Sequence, residues 1–272
     1  RDLIVTGVQT CALPIWGTTM AQMVDNPDEV EIVRLRLRLP SLDSAFDGFR
    51  LVQISDVHMD EWMDRARFES ILSICKETEP DLLVITGDFL TRDVDNIVEP
   101  LIQALKPYGK SMDILAVLGN NDHRYNADIM HQVLKECTVF ELTNTVYTIN
   151  KGNASLNFAG LDDVYLGKPK FNQLLDSIPP EGTNILLVHE PDFADTSEKT
   201  GIFDLSLSGH SHGGQINIPG IGAPITPPYG HKYVAGLYQV GNMYQYTNRG
   251  LGFSQMPPKI RINCPPEITV FT

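Results

Sequence analysis

Short aliphatic runs recur along the chain, and each run passes directly into polar residues. The runs are LVQI at 51–54, LLVIT at 82–86, ILAV at 114–117, ILLV at 185–188 and LSLS at 205–208. Short runs rich in Val, Ile and Leu, bounded by Gly and polar residues, are typical of buried β-strands. The pattern therefore predicts five strands that end in side chains able to carry chemistry.

Amphipathic segments lie between several of these runs. Apolar residues repeat at helical spacing in four segments, 68–75, 97–105, 129–134 and 171–178, which predicts helices with one buried face. The second helix is expected to hold Pro100 in its first turn. Strands that alternate with helices predict a largely parallel α/β sheet, in which ligands gather at the carboxyl ends of the strands. We therefore expect all five polar ends to meet at one edge.

The second half of the chain has a different pattern. Pro and Gly crowd residues 218–230, and the runs KYVAGLYQV, MYQYTN and EITVFT follow. These runs predict a second, more antiparallel sheet that packs on the first. Near the start, the alternation in VEIVRLRLRL predicts a strand that is exposed on one face and joins one of the sheets.

Composition narrows the classes of function. The chain has 272 residues and a formal net charge of −13, so a general grip on nucleic-acid backbone, which needs a basic face, is disfavoured. An anionic substrate would need a local source of positive charge. No apolar run approaches the roughly 18 residues of a membrane span. The four cysteines are scattered without a CxxC pair, which indicates neither a disulfide framework nor a thiolate metal site.

The first residues have a separate origin. The stretch VTGVQTCALPI at 5–15 back-translates codon by codon onto a common sequencing-library adaptor, so residues 1–20 are interpreted as an artefact outside the fold. The remainder, 25–272, is interpreted as a single domain. We expect the natural N-terminus to be missing, together with any signal peptide or anchor helix that it carried.

The five strand ends carry seven side chains of the types that bind metals. They are Asp56, His58, Asp88, Asn120, His189, His210 and His212. Seven ligands exceed the need of one ion with an open position, whereas two divalent ions that share a bridging carboxylate fit the number. Nitrogen and oxygen ligands without sulfur favour Mn, Fe or Zn over Ca. Two such ions would make the site locally positive inside an acidic protein, as a phosphorylated substrate requires.

The same residues lie in recognisable sequence blocks. DVH, GD, GNND, the histidine of LVHEP, and GHSH resemble, in order and spacing, the signature blocks of the calcineurin-like metallophosphoesterases. GHSHGGQINIP and the closing NRGLG with PPEITVF resemble more closely a bacterial subgroup of membrane- or cell-wall-associated phosphodiesterases, which includes a UDP-2,3-diacylglucosamine pyrophosphatase. The resemblance implies an α/β fold, a four-layer α/β/β/α sandwich of two mixed sheets flanked by helices.

The resemblance also implies which residues share an ion and what they do. Asp56, His58, Asp88 and His212 would hold one ion, and Asp88, Asn120, His189 and His210 would hold the other. The implied activity is hydrolysis of a phosphodiester or pyrophosphate bond by in-line attack of a metal-bound hydroxide. Two alternatives stay open: a UDP-2,3-diacylglucosamine pyrophosphatase of lipid A biosynthesis, and a non-catalytic binding scaffold on the same fold.

The block GNND departs from the family pattern, which reads Gly-Asn-His. The histidine that helps to protonate the leaving oxygen is replaced by Asn121, which can donate a hydrogen bond but cannot deliver a proton near pH 7. His123, two residues on, is the candidate substitute, and its alternative role is to line the start of the next helix. We therefore interpret Asn121 and His123 as the candidate catalytic residues. Asp122 beside them is expected to be available to orient an imidazole at position 121.

The expected partner is a small phosphorylated molecule: a phosphodiester, a nucleotide-sugar or a lipid-linked phosphate. Loops around 167–171 and 219–233 are expected to line its pocket, and Arg124 and Arg249 are candidate contacts with fold-supporting roles as the alternative. The resemblance implies a membrane- or cell-envelope-associated location, with the cytoplasm as second choice. Membrane association would depend on the missing N-terminus. The sequence leaves the oligomeric state open.

Overall fold

The computed structural model describes residues 2–4, 29–92, 94–254 and 259–272. The strands are β1 (Asp2–Ile4), β2 (Glu31–Arg36), β3 (Leu51–Ile54), β4 (Leu82–Thr86), β5 (Ile114–Val117), β6 (Phe140–Glu141), β7 (Thr145–Lys151), β8 (Ala154–Gly160), β9 (Thr183–Leu187), β10 (Leu205–Ser208), β11 (Gly236–Val240), β12 (Met243–Thr247) and β13 (Glu267–Phe271). The α-helices are α1 (Arg65–Glu77), α2 (Val94–Gly109), α3 (Asn120–Glu136), α4 (Phe171–Ser177) and α5 (Ala194–Ser197). Single turns of 3-10 helix occupy Ser44–Phe46, Pro191–Phe193, Glu198–Thr200 and His212–Gly214.

Within these residues the strands form two mixed sheets. The first sheet has the order β1-β2-β13-β3-β4-β5-β6, in which the β13–β3 pair is antiparallel and the other pairs are parallel. The second has the order β11-β12-β10-β9-β8-β7, with an antiparallel pair at each edge and parallel pairs between. The prediction of two mixed sheets flanked by helices is confirmed.

The alternation of side chains along each strand divides the core into layers. In β4, Val84 faces the second sheet and shares a buried cluster with Leu187 of β9, whereas Leu83 faces α1, α2 and α3. On the far side of the second sheet, Leu186 packs in a further buried cluster with Leu174 of α4. Because both sheets are covered on both faces, their strands read as nearly continuous apolar runs. The layers therefore follow the order α/β/β/α.

The division of strands between the sheets differs from the sequence prediction. β3, β4 and β5 lie in the first sheet and β9 and β10 in the second, so the five runs do not share one parallel sheet. The run EITVF, expected in the second sheet, forms β13 of the first, between β2 and β3. All five residues of β13 are buried, including Glu267 and Thr269, and the alternation of a short run carries no signal for which sheet it joins.

The five carboxyl ends still meet, because the two sheets place them on the same side of the molecule. Gln53 at the end of β3 donates to the Ser208 carbonyl at the end of β10, at 3.0 Å. The His189 ring, just after β9, lies 2.6 Å from the Thr86 carbonyl at the end of β4. These contacts join the two sheets at the edge where the polar residues lie.

The predicted helices all form, with two departures in detail. α2 begins at Val94, so Pro100 lies in its interior and not in its first turn as expected. α3 begins at Asn120, and Asn126 interrupts it with φ −176° and ψ 90°. The Asn126 side chain accepts the N–H of Ile129 at 3.0 Å, so the helix restarts there with an ordinary asparagine cap. The alternating run near the start forms β2, confirming the early strand.

Most of the segment interpreted as an adaptor artefact lies outside the described residues, and its origin stays a prediction, as does the domain boundary at residue 25. Its described part, Asp2–Ile4, pairs in parallel with β2. None of the helices in the described part of the chain combines the length and apolar character needed to cross a bilayer.

Candidate metal centre

The seven candidate ligands lie in the connections that follow β3, β4, β5, β9 and β10. Five of them have positive φ: Asp56 and His58 (49° each), Asp88 (58°), His210 (68°) and His212 (52°). A non-glycine residue in this left-handed region costs about 1 kcal/mol or more, and it persists only where the surroundings enforce it. Backbone strain is thus concentrated at the candidate ligands, which is typical of a functional site.

Five of the candidate ligands meet at close range. His58 Nε2 lies 3.0 Å from His212 Nε2 and 3.4 Å from Asp88 Oδ2. His212 Nε2 lies 3.3 Å from Asp56 Oδ1, and His189 Nε2 lies 3.4 Å from Asp88 Oδ2. Ligand atoms of Asp56, His58 and His212 lie within 4.8 Å of one another, and so do those of Asp56, Asp88 and His189. Asp56 belongs to both groups, and Asp88 approaches a histidine of each.

The atoms presented at this site have the chemistry that divalent ions require. His189 Nε2 and Asn120 Oδ1 are buried and have no hydrogen-bond partner among the described residues. Buried polar atoms are almost always paired, so these two atoms beside two carboxylates fit a bound cation. Nδ1 of His189 lies 2.6 Å from the Thr86 carbonyl oxygen, and Nδ1 of His58 lies 3.2 Å from that of Leu90. Each ring can thus donate from Nδ1 and present Nε2 to an ion, as metal-binding histidines do.

His210 and His212 complete the site from the end of β10. The backbone N–H of His210 donates to both carboxylate oxygens of Asp56, at 3.1 and 3.0 Å, and its Nε2 donates to the Pro228 carbonyl at 2.8 Å. Nδ1 is therefore the nitrogen of His210 that would bind an ion. Burial lowers the pKa of His210 to about 4, and burial together with His58 lowers the pKa of His212 well below its usual value. Both rings are neutral at pH 7, which is the form that ligates metals.

Asp122 holds the two connections that carry Asp88 and Asn120. One carboxylate oxygen accepts the N–H groups of Asp88 and Gly119, at 2.9 and 3.0 Å, and the other accepts those of Phe89 and Leu90, at 2.9 and 3.0 Å. Its side chain is fully buried. Asp122 is thus not available to orient an imidazole at position 121, contrary to expectation. Its position in the first turn of a helix gave no sign of this role, because an acidic residue there is ordinarily explained by the helix dipole.

The two candidate catalytic residues have partners next to the ligand groups. Asn121 donates to Asp88 twice, from its backbone N–H to Oδ1 at 2.8 Å and from Nδ2 to Oδ2 at 2.6 Å. His123 Nε2 donates to Asp162 Oδ1 at 2.7 Å. Burial by itself lowers the pKa of His123, but the hydrogen bond and charge of Asp162 outweigh it and raise the pKa above its usual value. Asn121 therefore orients a carboxylate of the centre, and the catalytic roles of both residues stay predictions.

Glycines form walls against the ligands, and sequence reasoning did not assign them this role. A Cβ built on Gly119 would overlap Asp88 Oδ1, and one built on Gly209 would overlap the carboxylate of Asp56. A Cβ on Gly252 would lie 2.7 Å from that of His58. The glycines of the blocks GNND and GHSH were the available signal, since a glycine beside a ligand often marks a close approach of the backbone.

Two buried arginines support the site from behind. Arg249 pairs with Glu267, and its NH2 lies 2.7 Å from Glu31, so the fold-supporting interpretation of this residue fits its contacts. Arg261 donates to the carbonyl oxygens of Arg249 (2.9 Å) and Gly250 (3.2 Å), and it lies 3.4 Å from His212 Nδ1. Arg124 lies 3.4 Å from the Asn121 side-chain oxygen.

Comparison with known families identifies this arrangement. The sequence model described as calcineurin-like phosphoesterase matches residues 49–214. That span begins just before β3 and includes all seven candidate ligands. The chain belongs to the calcineurin-like phosphoesterase family. The resemblance drawn from the sequence blocks is thereby confirmed at the level of the family.

Two bacterial relatives align with the calcineurin-like phosphoesterase span of this chain and also with segments that flank it. The chain is 36% identical over 253 residues to the uncharacterized metallophosphoesterase YkuE of Bacillus subtilis (strain 168), covering 90% of this chain and 86% of YkuE. It is 28% identical over 247 residues to the phosphodiesterase YaeI of Escherichia coli (strain K12), covering 90% and 88%. The family match and these relatives identify the chain as a metal-dependent phosphoesterase, a hydrolase.

A solved structure supports the fold of this calcineurin-like phosphoesterase. The sulfate thiohydrolase SoxB of Thermus thermophilus aligns with a TM-score of 0.52 at 12% identity, covering 74% of this chain and 52% of SoxB. The chain therefore spans about half the length of that protein. At this identity the likeness concerns the fold alone, and it agrees with the two helix-flanked mixed sheets described above.

Proposed function

We propose that the chain is a phosphohydrolase that uses two divalent ions to cleave a phosphodiester or a pyrophosphate bond. The observation that carries the proposal is the pair of adjoining ligand groups: within each group, the ligand atoms of buried side chains lie within 4.8 Å of one another. The mixture of nitrogen and oxygen ligands favours Mn, Fe or Zn. Family membership and the name of the relative YaeI support the phosphoesterase chemistry.

The proposed assignment divides the ligands between the two ions. Asp56, His58 and His212 hold one, Asn120, His189 and His210 hold the other, and Asp88 is shared. When bound, two such ions activate a water molecule and polarise phosphoryl oxygens. Asn121 positions Asp88 through its two hydrogen bonds, and an amide can donate a hydrogen bond to a phosphoryl oxygen but cannot protonate the leaving group.

The phosphodiester is the first substrate class, because the relative that carries that name aligns with 90% of this chain. A nucleotide-sugar pyrophosphate, with UDP-2,3-diacylglucosamine as one member, is the second class, and it rests on the resemblance of GHSHGGQINIP and PPEITVF to the subgroup. Assaying both substrates in parallel decides between the two classes.

Metal dependence provides the test. A chelator should abolish hydrolysis of bis-p-nitrophenyl phosphate, and Mn should restore it. Elemental analysis should find close to two transition ions per chain, none in Asp88→Ala and mainly one in His212→Ala. His131→Ala, on the outer surface of α3, is the matched histidine control and should retain both. Absence of bound metal after growth or reconstitution in Mn would contradict the proposal, and a metal-loaded, folded protein inactive on both substrate classes would identify a scaffold.

The absence of a histidine at position 121 leads to a prediction about the leaving group. Wild-type protein should turn over activated aryl diesters but barely react with alkyl phosphate monoesters, because an alkoxide leaves poorly without a proton. Asn121→His should raise activity on poor leaving groups more than on aryl ones, by about 10²-fold or less, since a general acid gives 10²–10⁴-fold and Asp122 cannot orient the new ring.

Two variants keep this prediction sharp. Asn121→Gln keeps an amide and should bring no gain on alkyl esters. His123→Ala should slow aryl and alkyl esters equally, because its Nε2 is engaged by Asp162. A selective loss on alkyl esters would instead identify His123 as the proton donor, and equal wild-type rates on both ester classes would show that Asn121 removes no needed acid.

A further inference from the structure

Exposed aliphatic and tyrosine side chains are concentrated in two loops. They are Tyr165 and Leu166 after β8, and Ile218, Ile221, Ile225 and Tyr229 between β10 and β11; we name these six the apolar rim. Ile221 is 75% exposed and Ile225 is 62% exposed. Among the described residues, the other exposed large hydrophobic side chains are Phe140, Ile260 and Ile262, none more than 44% exposed. Isolated exposed hydrophobics are ordinary, whereas a group on neighbouring loops indicates an interaction surface.

Contacts show that these loops adjoin one another. The rings of Tyr165 and Tyr229 lie 5.9 Å apart. The N–H groups of Ile221 and Gly222 donate to the Ile218 carbonyl at 3.0 and 2.8 Å, which closes a tight turn with Ile221 at its tip. The backbone of Ile262 is hydrogen-bonded to that of Asn217 at 2.9 Å, so the segment 259–262 lies against the same loop.

The apolar rim borders the metal centre. The Pro228 carbonyl, next to Tyr229, accepts from His210 Nε2 at 2.8 Å. A Cβ built on Gly214, two residues after His212, would overlap Ala223, and it would lie 3.3 Å from the carbonyl oxygen of Ile225. The loop that presents the isoleucines therefore packs directly on the backbone that carries two candidate ligands.

These loops lack the acidic excess of the molecule. The chain has 34 acidic residues and a net charge of −13, yet no Asp or Glu occurs between Asp204 and Glu267. In the loop with Tyr165, Asp162 and Asp163 are buried, and the exposed charges are Lys168 and Lys170. Within the described parts of the rim loops, the exposed charged side chains are thus lysines, and the half-exposed carboxylate of Asp195 on the neighbouring helix is paired with Lys232 at 2.7 Å.

We propose that the apolar rim docks on the surface of an anionic lipid bilayer. Exposed isoleucines at turn tips can enter the boundary between headgroups and acyl chains, tyrosines suit the interface itself, and lysines beside them are attracted by anionic lipids. A protein of net charge −13 would be repelled by such a surface on any face that carried its average charge, so the loops whose own exposed charges are lysines select this face. Docking in this way brings the metal centre to the headgroup layer. This surface is independent of which bond the centre cleaves.

Vesicle flotation with the full chain tests the proposal. Wild-type protein should bind vesicles of phosphatidylglycerol mixed with phosphatidylcholine, bind pure phosphatidylcholine more weakly, and be released by salt. The double variant Ile221→Ser/Ile225→Ser should have an affinity for the vesicles that is lower by about tenfold or more, because two aliphatic side chains are no longer transferred from water into the bilayer. Lys168→Ala/Lys170→Ala should lose about fivefold per lysine on the anionic vesicles and nothing on the neutral ones.

Phe140→Ser is the matched control, since Phe140 is 44% exposed on β6 and lies outside the rim loops; it should bind like wild type. All variants should keep the wild-type metal content and Tm, so loss of vesicle binding and loss of the folded metal centre are separate results. Wild-type protein that is active but does not float with anionic vesicles would overturn the docking surface. A dimer in sedimentation that dissociates in the double isoleucine variant would overturn it in favour of a second copy of the chain.

Discussion

Asp122 shows how one side chain determines the geometry of a centre that it does not enter. Its carboxylate accepts four backbone N–H groups, those of Asp88, Phe89, Leu90 and Gly119. A neutral asparagine offers one acceptor oxygen and turns an NH₂ group toward two of those donors. Asp122→Asn should therefore lower the free energy of unfolding by about 3 kcal/mol, since each buried donor left unpaired costs 1–3 kcal/mol. Urea unfolding and elemental analysis measure the two effects, and metal content should fall with stability.

Asp64→Asn is the matched control for this prediction. Asp64 caps α1 by accepting the Arg67 N–H at 2.8 Å on the surface, and asparagine caps helices as well as aspartate does. Its stability and metal content should equal those of wild type within about 0.5 kcal/mol. An Asp122→Asn protein that kept wild-type stability and both ions would show that the four hydrogen bonds do not position Asp88.

The His123–Asp162 pair gives a prediction about pH. Burial opposes both charges, but the 2.7 Å hydrogen bond raises the pKa of His123 and lowers that of Asp162. The pair therefore stabilises the fold fully between about pH 4 and pH 6.5, the unfolded-state values of Asp and His. Its contribution declines as pH rises through the raised pKa of His123. Because the ring is partly open to solvent, we expect about 1 kcal/mol or less.

Thermal unfolding of wild type and His123→Ala across this pH range checks the sign. The difference in Tm should be largest near pH 6 and shrink above pH 7. His131→Ala removes a more exposed imidazole, which lies 2.7 Å from Glu141, and should have a smaller effect at every pH. A difference that grew with rising pH would mean that the His123 ring is neutral in the fold.

At the scale of elements, close packing as well as hydrogen bonding restricts which residues fit in the connection between β5 and α3. Gly119 has φ −111°, so an alanine there is not strained in its backbone. Its Cβ would overlap Asp88 Oδ1 and lie 2.8 Å from His189 Cε1. Gly119→Ala should therefore displace ligands of the centre and lower metal affinity at least tenfold, within the 10–100-fold range known for residues that orient ligands.

Gly201→Ala separates this effect from general destabilisation. Gly201 ends a helical turn with φ +64°, and nothing lies within 4 Å of its added Cβ. It should cost about 1 kcal/mol of stability through backbone strain while isothermal titration with Mn gives the wild-type affinity. Equal affinities in the two glycine variants would show that the contact at Gly119 is not critical.

The elements also show what the sequence could predict. Strand runs that end in Asp, Asn and His were sufficient to locate the candidate ligands, because period and residue type are both local properties. The sheet of β13 could not be predicted, since all its residues are buried and pairing depends on distant strands. The role of Asp122 could not be assigned either, because it consists of contacts with a connection some thirty residues earlier in the chain, Asp88 to Leu90.

On the scale of the molecule, the centre joins the two sheets, because carboxylates that follow β3 and β4 face histidines that follow β9 and β10. Asp56 and Asp88 are both buried, and burial, reinforced by Asp88 and partly offset by His189, raises the pKa of Asp56. Asp88 in turn lies 3.4 Å from His58 after β3 and 3.4 Å from His189 after β9. A cation between these groups would therefore stabilise the interface between the sheets as well as the site.

Metal binding should consequently stabilise the fold, and this stabilisation should depend on Asp88. Wild-type protein should gain about 2.7 kcal/mol for each ion present at 100 times its Kd, seen as a rise in Tm when Mn is added and a fall with chelator. Asp88→Asn should lose most of that gain and should also unfold earlier than wild type in chelator, because its NH₂ group faces one of the two groups through which Asn121 donates to Asp88. Asp64→Asn should respond to Mn like wild type. An equal Mn-dependent rise in Tm for wild type and Asp88→Asn would show that Asp88 does not hold the ions, and equal Tm values in chelator would show that the two hydrogen bonds from Asn121 do not stabilise the fold.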